Sequence, residues 1–265
     1  MKKRMNLILI MGLLVFILTG CTNNKISNND NSSQEEITIT VAAAASLKNC
    51  MDDKIIPMFE EKYTNVKVEA TYDSSGKLQT QIEQGADIDI FMSAAMKQMN
   101  SLNEEGLIEA NSIVELLENK LVLIIPAGSN KEIKTFEDIL KADKIAIGDP
   151  ESVPAGQYAK ELFENLNIWD KVLEKSSLGT NVTEVLNWVS EGSADAGIVY
   201  STDATSNGNV KVVLVAKEGA VSKVIYPVGI IENSENKETS KNFIDFLQSD
   251  EVINIFESYG FSANK

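Results

Sequence analysis

Histidine is absent from this 265-residue sequence, and basic residues are scarce. Because there is no imidazole, the chain can hold neither a histidine-based catalytic triad nor a histidine-ligated zinc ion. Acid–base catalysis near neutral pH is also harder to assemble without it. Lys and Arg number 24 against 39 Asp and Glu, which gives a formal net charge of −15. This acidity argues against nucleic-acid binding, and it means that local dipoles must hold any bound anion.

Cysteine is also rare, since Cys21 and Cys50 are the only two in the sequence. Cys21 follows a basic start, an apolar run at 5–18 and small residues, which is the pattern of a secretory signal over residues 1–20. The Leu-Thr-Gly-Cys segment resembles a bacterial lipobox, which implies a diacylglyceryl thioether on Cys21. Residues 21–36 are rich in Asn and Ser and predict a flexible, lipid-anchored tether. With Cys21 lipidated, Cys50 has no partner for an intrachain disulfide, and we expect it to pack as a small apolar residue.

Strand and helix patterns alternate along the rest of the chain. An alternating run at 66–71, for example, leads into a helical pattern with apolar residues spaced by four. This alternation predicts an α/β fold with parallel sheets. The set of elements occurs twice, with strand-like crossings near Leu121 and Val224. We therefore expect two α/β lobes: lobe I from residues 37–117 plus 226–265, and lobe II from residues 118–225.

Residues that can donate hydrogen bonds follow several of the predicted strands. The turn Ser74-Ser75-Gly76 joins a strand to a helix that either serine could cap, and such a turn offers free N–H groups and the positive end of a helix dipole to an anion. Ligands of α/β sheets bind where strands end and helices begin. We expect one site of uncharged donors, which comprises Ser46, Ser75, Ala94, Ala155, Val182 and Tyr200.

Five segments, in this order and spacing, resemble the molybdate-binding proteins of bacterial ABC transporters over residues 37–265. They are AAASL at 43–47, SSGKL at 74–78, DIFMSA at 89–94, GDPESVPAGQYA at 148–159 and GIVYSTDA at 197–204. The resemblance implies a type II periplasmic-binding-protein fold, with a tetrahedral oxyanion held in the cleft between the lobes. It implies an extracytoplasmic, monomeric protein that works with the permease subunits of an ABC importer and needs no cofactor.

The same resemblance gives each site residue a role. Ser46 and Ser75 would supply hydroxyls, and Ser74 could share the second of these roles. Backbone N–H groups would come from Ala94, Ala155 and Val182, and a phenol from Tyr200.

Neutral donors suit an anion that only accepts hydrogen bonds, because no buried counter-charge has to be desolvated. Molybdate and tungstate are such dianions, and the sequence does not distinguish between them. Sulfate is an acceptor too, and would be rejected by size alone. Phosphate is partly protonated and would need an acceptor, for which Asp73 is the candidate.

An enzymatic alternative arises from Ser74-Ser75-Gly76-Lys77, which fits the S-x-x-K motif of serine β-lactamases and penicillin-binding proteins. That class also needs S-D-N and K-T-G motifs, and neither occurs in the sequence. The residues therefore favour a binding protein over an enzyme.

Overall fold

The computed structural model describes residues 36–264. The predicted signal segment, Cys21 and the tether up to residue 35 lie outside the described residues. No helix within the described range is long and apolar enough to cross a membrane.

Residues 36–264 form two β-sheets. Their strands, in chain order, are β1 (Ile37–Ala44), β2 (Val66–Asp73), β3 (Ile90–Met92), β4 (Val114–Asn119), β5 (Leu121–Pro126), β6 (Ile145–Gly148), β7 (Ser176–Gly179), β8 (Ala196–Tyr200), β9 (Val210–Val215), β10 (Val224–Ile230) and β11 (Ser262–Ala263). The first sheet has the strand order β11-β4-β10-β3-β1-β2, and the second has the order β7-β6-β8-β5-β9.

Helices connect the strands of both sheets. They are α1 (Lys48–Cys50), α2 (Ile56–Lys62), α3 (Ser75–Glu83), α4 (Met96–Glu104), α5 (Pro154–Asn165), α6 (Trp169–Leu173), α7 (Val182–Ser190), α8 (Ser201–Thr205), α9 (Lys237–Leu247) and α10 (Asp250–Ser258). A π-helical segment, Met51–Ile55, joins α1 to α2, and short 3-10 turns cover Ala45–Leu47, Ala110–Ser112 and Phe136–Lys141.

Both sheets are mixed, so the prediction of parallel sheets holds for only part of each sheet. In the first sheet β1 runs parallel to β2 and β3, but β10 runs antiparallel to β3 and β4. In the second sheet β6 is parallel to β7 and β8, whereas β5 is antiparallel to β8 and β9. The antiparallel pairs arise where the chain passes between the sheets, because β4 continues into β5 with only Lys120 between them. A strand that enters a sheet directly needs no crossover helix to set its direction.

The apolar face of the segment that follows β1 packs into the core. Leu47, Met51, Ile55 and Phe59 are all completely buried. Their spacing of four survives the change from 3-10 to π to α geometry along this segment. The end of β1 and the turn after it are thereby held firmly, and this turn carries Ser46.

Candidate anion-binding site

All six residues predicted to bind the ligand line one small cavity between the two sheets. The cavity volume is about 10 Å³. That is about the space of one water molecule, so a tetrahedral oxyanion fits only when the lining residues move apart. The lining consists of Ala44, Ala45, Ser46, Asp73, Ser74, Ser75, Ala94, Val153, Pro154, Ala155, Val182 and Tyr200.

Three helices begin at the cavity. Ser75 is the first residue of α3, Ala155 the second of α5 and Val182 the first of α7. First-turn N–H groups have no partner within their own helix, and the helix dipole adds positive charge there. The cavity is therefore suited to an anion.

Ser75 and Ala94 are joined by a hydrogen bond within the lining. The Ala94 N–H donates to Ser75 Oγ over 2.9 Å. The Ala94 N–H, expected to be a ligand donor, thus already has an acceptor and would have to leave it to reach an anion. The same bond occupies the acceptor side of the Ser75 hydroxyl, whose own proton stays available to the cavity.

Ser46 lies in the 3-10 turn Ala45–Leu47 rather than at a helix cap. The N-cap of this turn is Ala44, and α1 begins after Leu47 without a side-chain cap. The backbone already turns at Ala45, so Ser46 does not cap a helix. Instead, Ser46 Oγ lies 2.8 Å from the hydroxyl oxygen of Tyr226. Sequence reasoning missed Tyr226, which sits on β10, 180 residues further along the chain.

Ser74 also faces the cavity. It is the N-cap of α3, but its side chain makes no capping hydrogen bond. Ser74 Oγ is buried and has no hydrogen-bond partner among the described residues. Both serines of the turn are thus placed to donate to a ligand, and the geometry does not remove either from the candidate set.

Asp73 brings a carboxylate into the lining. Its Oδ1 accepts from Ser74 N at 2.8 Å, from Lys77 Nζ at 3.3 Å and from Asn181 Nδ2 at 3.4 Å. The ion pair with Lys77 offsets the charge of the Asp73 carboxylate. Asn181 reaches across from the second sheet and also caps α7 by accepting from Glu184 N at 3.0 Å.

The two lobes touch beside the cavity. The N–H of Gly76 donates to Ser152 O at 2.9 Å, and Gln98 Nε2 donates to Gln157 Oε1 at 3.3 Å. A Cβ at position 76 would lie 2.5 Å from Ser152 O, so a side chain there would push the two backbones apart. Glycine at this position therefore permits the close approach of the lobes.

Tyr200 ends β8 at the cavity, and its hydroxyl lies 3.5 Å from Ala94 O. Burial raises the pKa of Tyr200 well above its ordinary value, so the phenol keeps its proton and can act as a donor. The backbone N–H of Tyr200 donates to Oδ2 of the buried Asp203 side chain at 3.1 Å. Burial likewise raises the pKa of Asp203 to about 7.

The charged groups of the structure do not form a cation site. Within residues 36–264 no group of three or more Asp, Glu, Cys or His side chains is placed to hold a metal ion. The cavity lining has one carboxylate and otherwise neutral groups. This chemistry fits an anion.

Residues 39–262 match the bacterial extracellular solute-binding proteins, and the chain belongs to this family. Among its relatives is YvgL of Bacillus subtilis (strain 168), named as an ABC transporter substrate-binding lipoprotein; it is 39% identical over 257 residues, with 97% of each chain covered. The molybdate-binding protein ModA of Escherichia coli (strain K12) is 38% identical over 238 residues, which cover 88% of this chain and 91% of ModA.

A solved structure, the substrate-binding domain of a molybdenum ABC transporter from Clostridium difficile, superposes with a TM-score of 0.67 at 41% identity. The superposition covers 87% of this chain and 100% of the chain in the solved structure. These relationships confirm the resemblance inferred from the five segments, and with it the two-lobed fold of periplasmic binding proteins.

Proposed function

We propose that this protein captures molybdate in the cavity between its lobes and delivers it to an ABC importer. The observation that carries the proposal is the convergence of six uncharged donor residues on one small cavity. Two relatives, one named a molybdate-binding protein and the other an ABC transporter substrate-binding lipoprotein, support the same function.

The donors of the cavity favour an anion that carries no proton. The Ser75 oxygen accepts from the Ala94 N–H and Asp73 Oδ1 accepts from three donors, while Asp73 Oδ2 accepts only from Lys77 Nζ at 3.4 Å. Few acceptors remain for the P–OH group of monohydrogen phosphate, and a buried donor without an acceptor is costly. Molybdate and tungstate, which only accept, meet no such cost. We propose that both bind.

The structure gives no support to the S-x-x-K hydrolase. Such an enzyme needs its lysine close to the nucleophilic serine hydroxyl. Here Lys77 Nζ bonds to Asp73, while Ser74 Oγ has no partner among the described residues. We therefore propose a binding role without catalysis for this loop.

Two further proposals concern the whole protein. Lobe I (37–117 plus 226–265) and lobe II (118–225) would close on the anion as units.

Cys21 would carry the lipid that holds the monomeric protein at the outer face of the membrane. Cys21→Ser should then release the protein from the membrane fraction or leave the signal segment uncleaved. Unchanged fractionation together with a normal mature mass would exclude lipid anchoring.

Calorimetric titration of the purified protein with molybdate, tungstate, sulfate and phosphate tests the proposed function. We expect molybdate and tungstate to bind far more tightly than phosphate and sulfate. Ser75→Ala should weaken molybdate binding by about ten- to a hundredfold, the value of a hydrogen bond to a charged group. Ser75→Asp should abolish it, because it places a second carboxylate at the anion.

Ser101→Ala is the matched control for these serine variants. Its hydroxyl donates to Lys97 O within α4, and Ser101 does not line the cavity. This variant should bind molybdate like the unaltered protein. Tighter binding of phosphate than of molybdate, or full molybdate affinity in Ser75→Asp, would overturn the proposal.

A further inference from the structure

Asn119 has a fully determined hydrogen-bond arrangement at the point where β4 passes into β5. Its Oδ1 lies 2.8 Å from Lys120 N, and a backbone N–H can only donate, so this atom is the amide oxygen. Its Nδ2 therefore carries the two amide protons. One is donated to Thr202 Oγ1 at 2.9 Å and the other to the Tyr226 hydroxyl at 3.3 Å.

The direction of the next hydrogen bond follows from where the buried Tyr226 proton can go. The Tyr226 oxygen accepts from Asn119, and among the described residues its own proton has one acceptor, Ser46 Oγ at 2.8 Å, so we take Tyr226 as the donor and Ser46 as the acceptor. Tyr226 is buried, and its ring packs edge-on against Tyr200 and Phe261, which fixes the position of its hydroxyl. Burial raises the pKa of Tyr226 well above its ordinary value, so this donor stays protonated.

Ser46 is the last residue in the series of hydrogen bonds that runs from Asn119 through Tyr226. Its oxygen accepts from Tyr226, and no other hydrogen bond of its hydroxyl is present among the described residues. Because Ser46 lines the cavity, its proton is left for a ligand there. Ser75 is arranged in the same way, since its oxygen accepts from Ala94 N. Hydrogen bonds in such a series polarise one another, so a hydroxyl that accepts is a better donor.

We propose that Tyr226 and Asn119 are positioning residues that act through Ser46, directing its hydroxyl proton into the cavity and making it a donor-only group. The proposal rests on the proposed function, because it assumes an oxyanion in this cavity. It assigns a role in binding to two side chains that do not line the cavity.

A double-mutant cycle tests the proposal, with molybdate affinity measured by calorimetry for the unaltered protein, Tyr226→Phe, Ser46→Ala and the double variant. Tyr226→Phe keeps the ring contacts and removes the hydroxyl. We expect it to weaken molybdate binding by about two- to tenfold, the value of one neutral hydrogen bond. If Tyr226 acts through Ser46, the double variant should bind within about twofold of Ser46→Ala alone.

Tyr158→Phe is the matched control. Its hydroxyl is also largely buried, but it donates to Lys223 O at 3.2 Å, and Tyr158 does not line the cavity. This variant should keep full affinity. Unchanged affinity in Tyr226→Phe, or a double variant whose loss is the product of the two single losses, would overturn the inference. An unaltered protein that fails to bind molybdate would instead overturn the proposed function itself.

Discussion

At the scale of single residues, Asp73 is the notable feature of the cavity, because it places a carboxylate in the lining of a proposed dianion site. Its ion pair with Lys77, at 3.3 Å, is partly exposed to solvent, with 39% of the Lys77 side chain and 29% of the Asp73 side chain accessible. Such a pair is partly screened by water and salt. We therefore infer that the two side chains tune the electrostatic potential of the cavity in opposite directions.

Variants of this pair should shift anion affinity with opposite signs. Asp73→Asn removes a negative charge and should tighten molybdate binding by about two- to fivefold. Lys77→Ala leaves the carboxylate unpaired and should weaken binding by a similar factor. Both effects should shrink as salt is added. Lys97→Ala, at an exposed lysine of α4, serves as the control. Shifts of the same sign in both variants of the pair would contradict this account.

The chemistry of single residues could be predicted from the sequence where it depends on local position. Ser46, Ser75 and Tyr200 follow strands, and their ability to donate is a property of the residue type. The partners of these groups could not be predicted. The contact between Ser46 and Tyr226 joins positions 180 residues apart, and no local pattern reports such a contact.

At the scale of elements, the short helix α8 begins directly after Tyr200 and buries a carboxyl group in its first turn. Asp203 is 7% exposed, and burial raises its pKa from 3.8 to about 7. The folded protein thus holds this proton more tightly than the unfolded chain. Where the folded pKa lies above the unfolded value, the stabilisation is complete below the unfolded pKa and is lost as the pH rises through the folded pKa.

The unaltered protein should therefore lose stability between about pH 4 and pH 7 relative to Asp203→Asn, by the order of a few kcal/mol. Thermal unfolding of both proteins across this range measures the difference. Asp87→Asn, at an exposed carboxyl without a hydrogen bond among the described residues, is the control and should follow the unaltered protein. A parallel pH dependence in the unaltered protein and Asp203→Asn would contradict the assignment.

Sequence periodicity predicts the order of the elements. It does not always predict how the strands pair or where an element begins and ends. The strand before α3 is as predicted. The helical segment near the end of the chain is divided into α9 and α10, and Ser249 caps α10 by accepting from Val252 N. Strand β4 was missed, because it runs into β5 almost without interruption.

At the scale of the whole molecule, both lobes contribute to the cavity and bury most of its predicted ligand residues. Of the predicted ligand residues, Ser75, Ala94, Ala155, Val182 and Tyr200 are each less than 5% exposed. An ion can reach them only if the lobes separate, which breaks the contacts of Gly76 with Ser152 and of Asp73 with Asn181. Hinged opening and closing of this kind is the usual behaviour of two-lobed binding proteins.

Anomalous diffraction from crystals grown with molybdate can show whether the ion occupies the cavity. Data collected on both sides of the molybdenum absorption edge locate the metal without reference to the surrounding protein. The account predicts one strong anomalous peak in the cavity, with the ion's oxygens within hydrogen-bond distance of Ser46 and Ser75 Oγ and of the Ala155 and Val182 N–H groups. A peak elsewhere on the protein, or no peak at saturating molybdate, would contradict it.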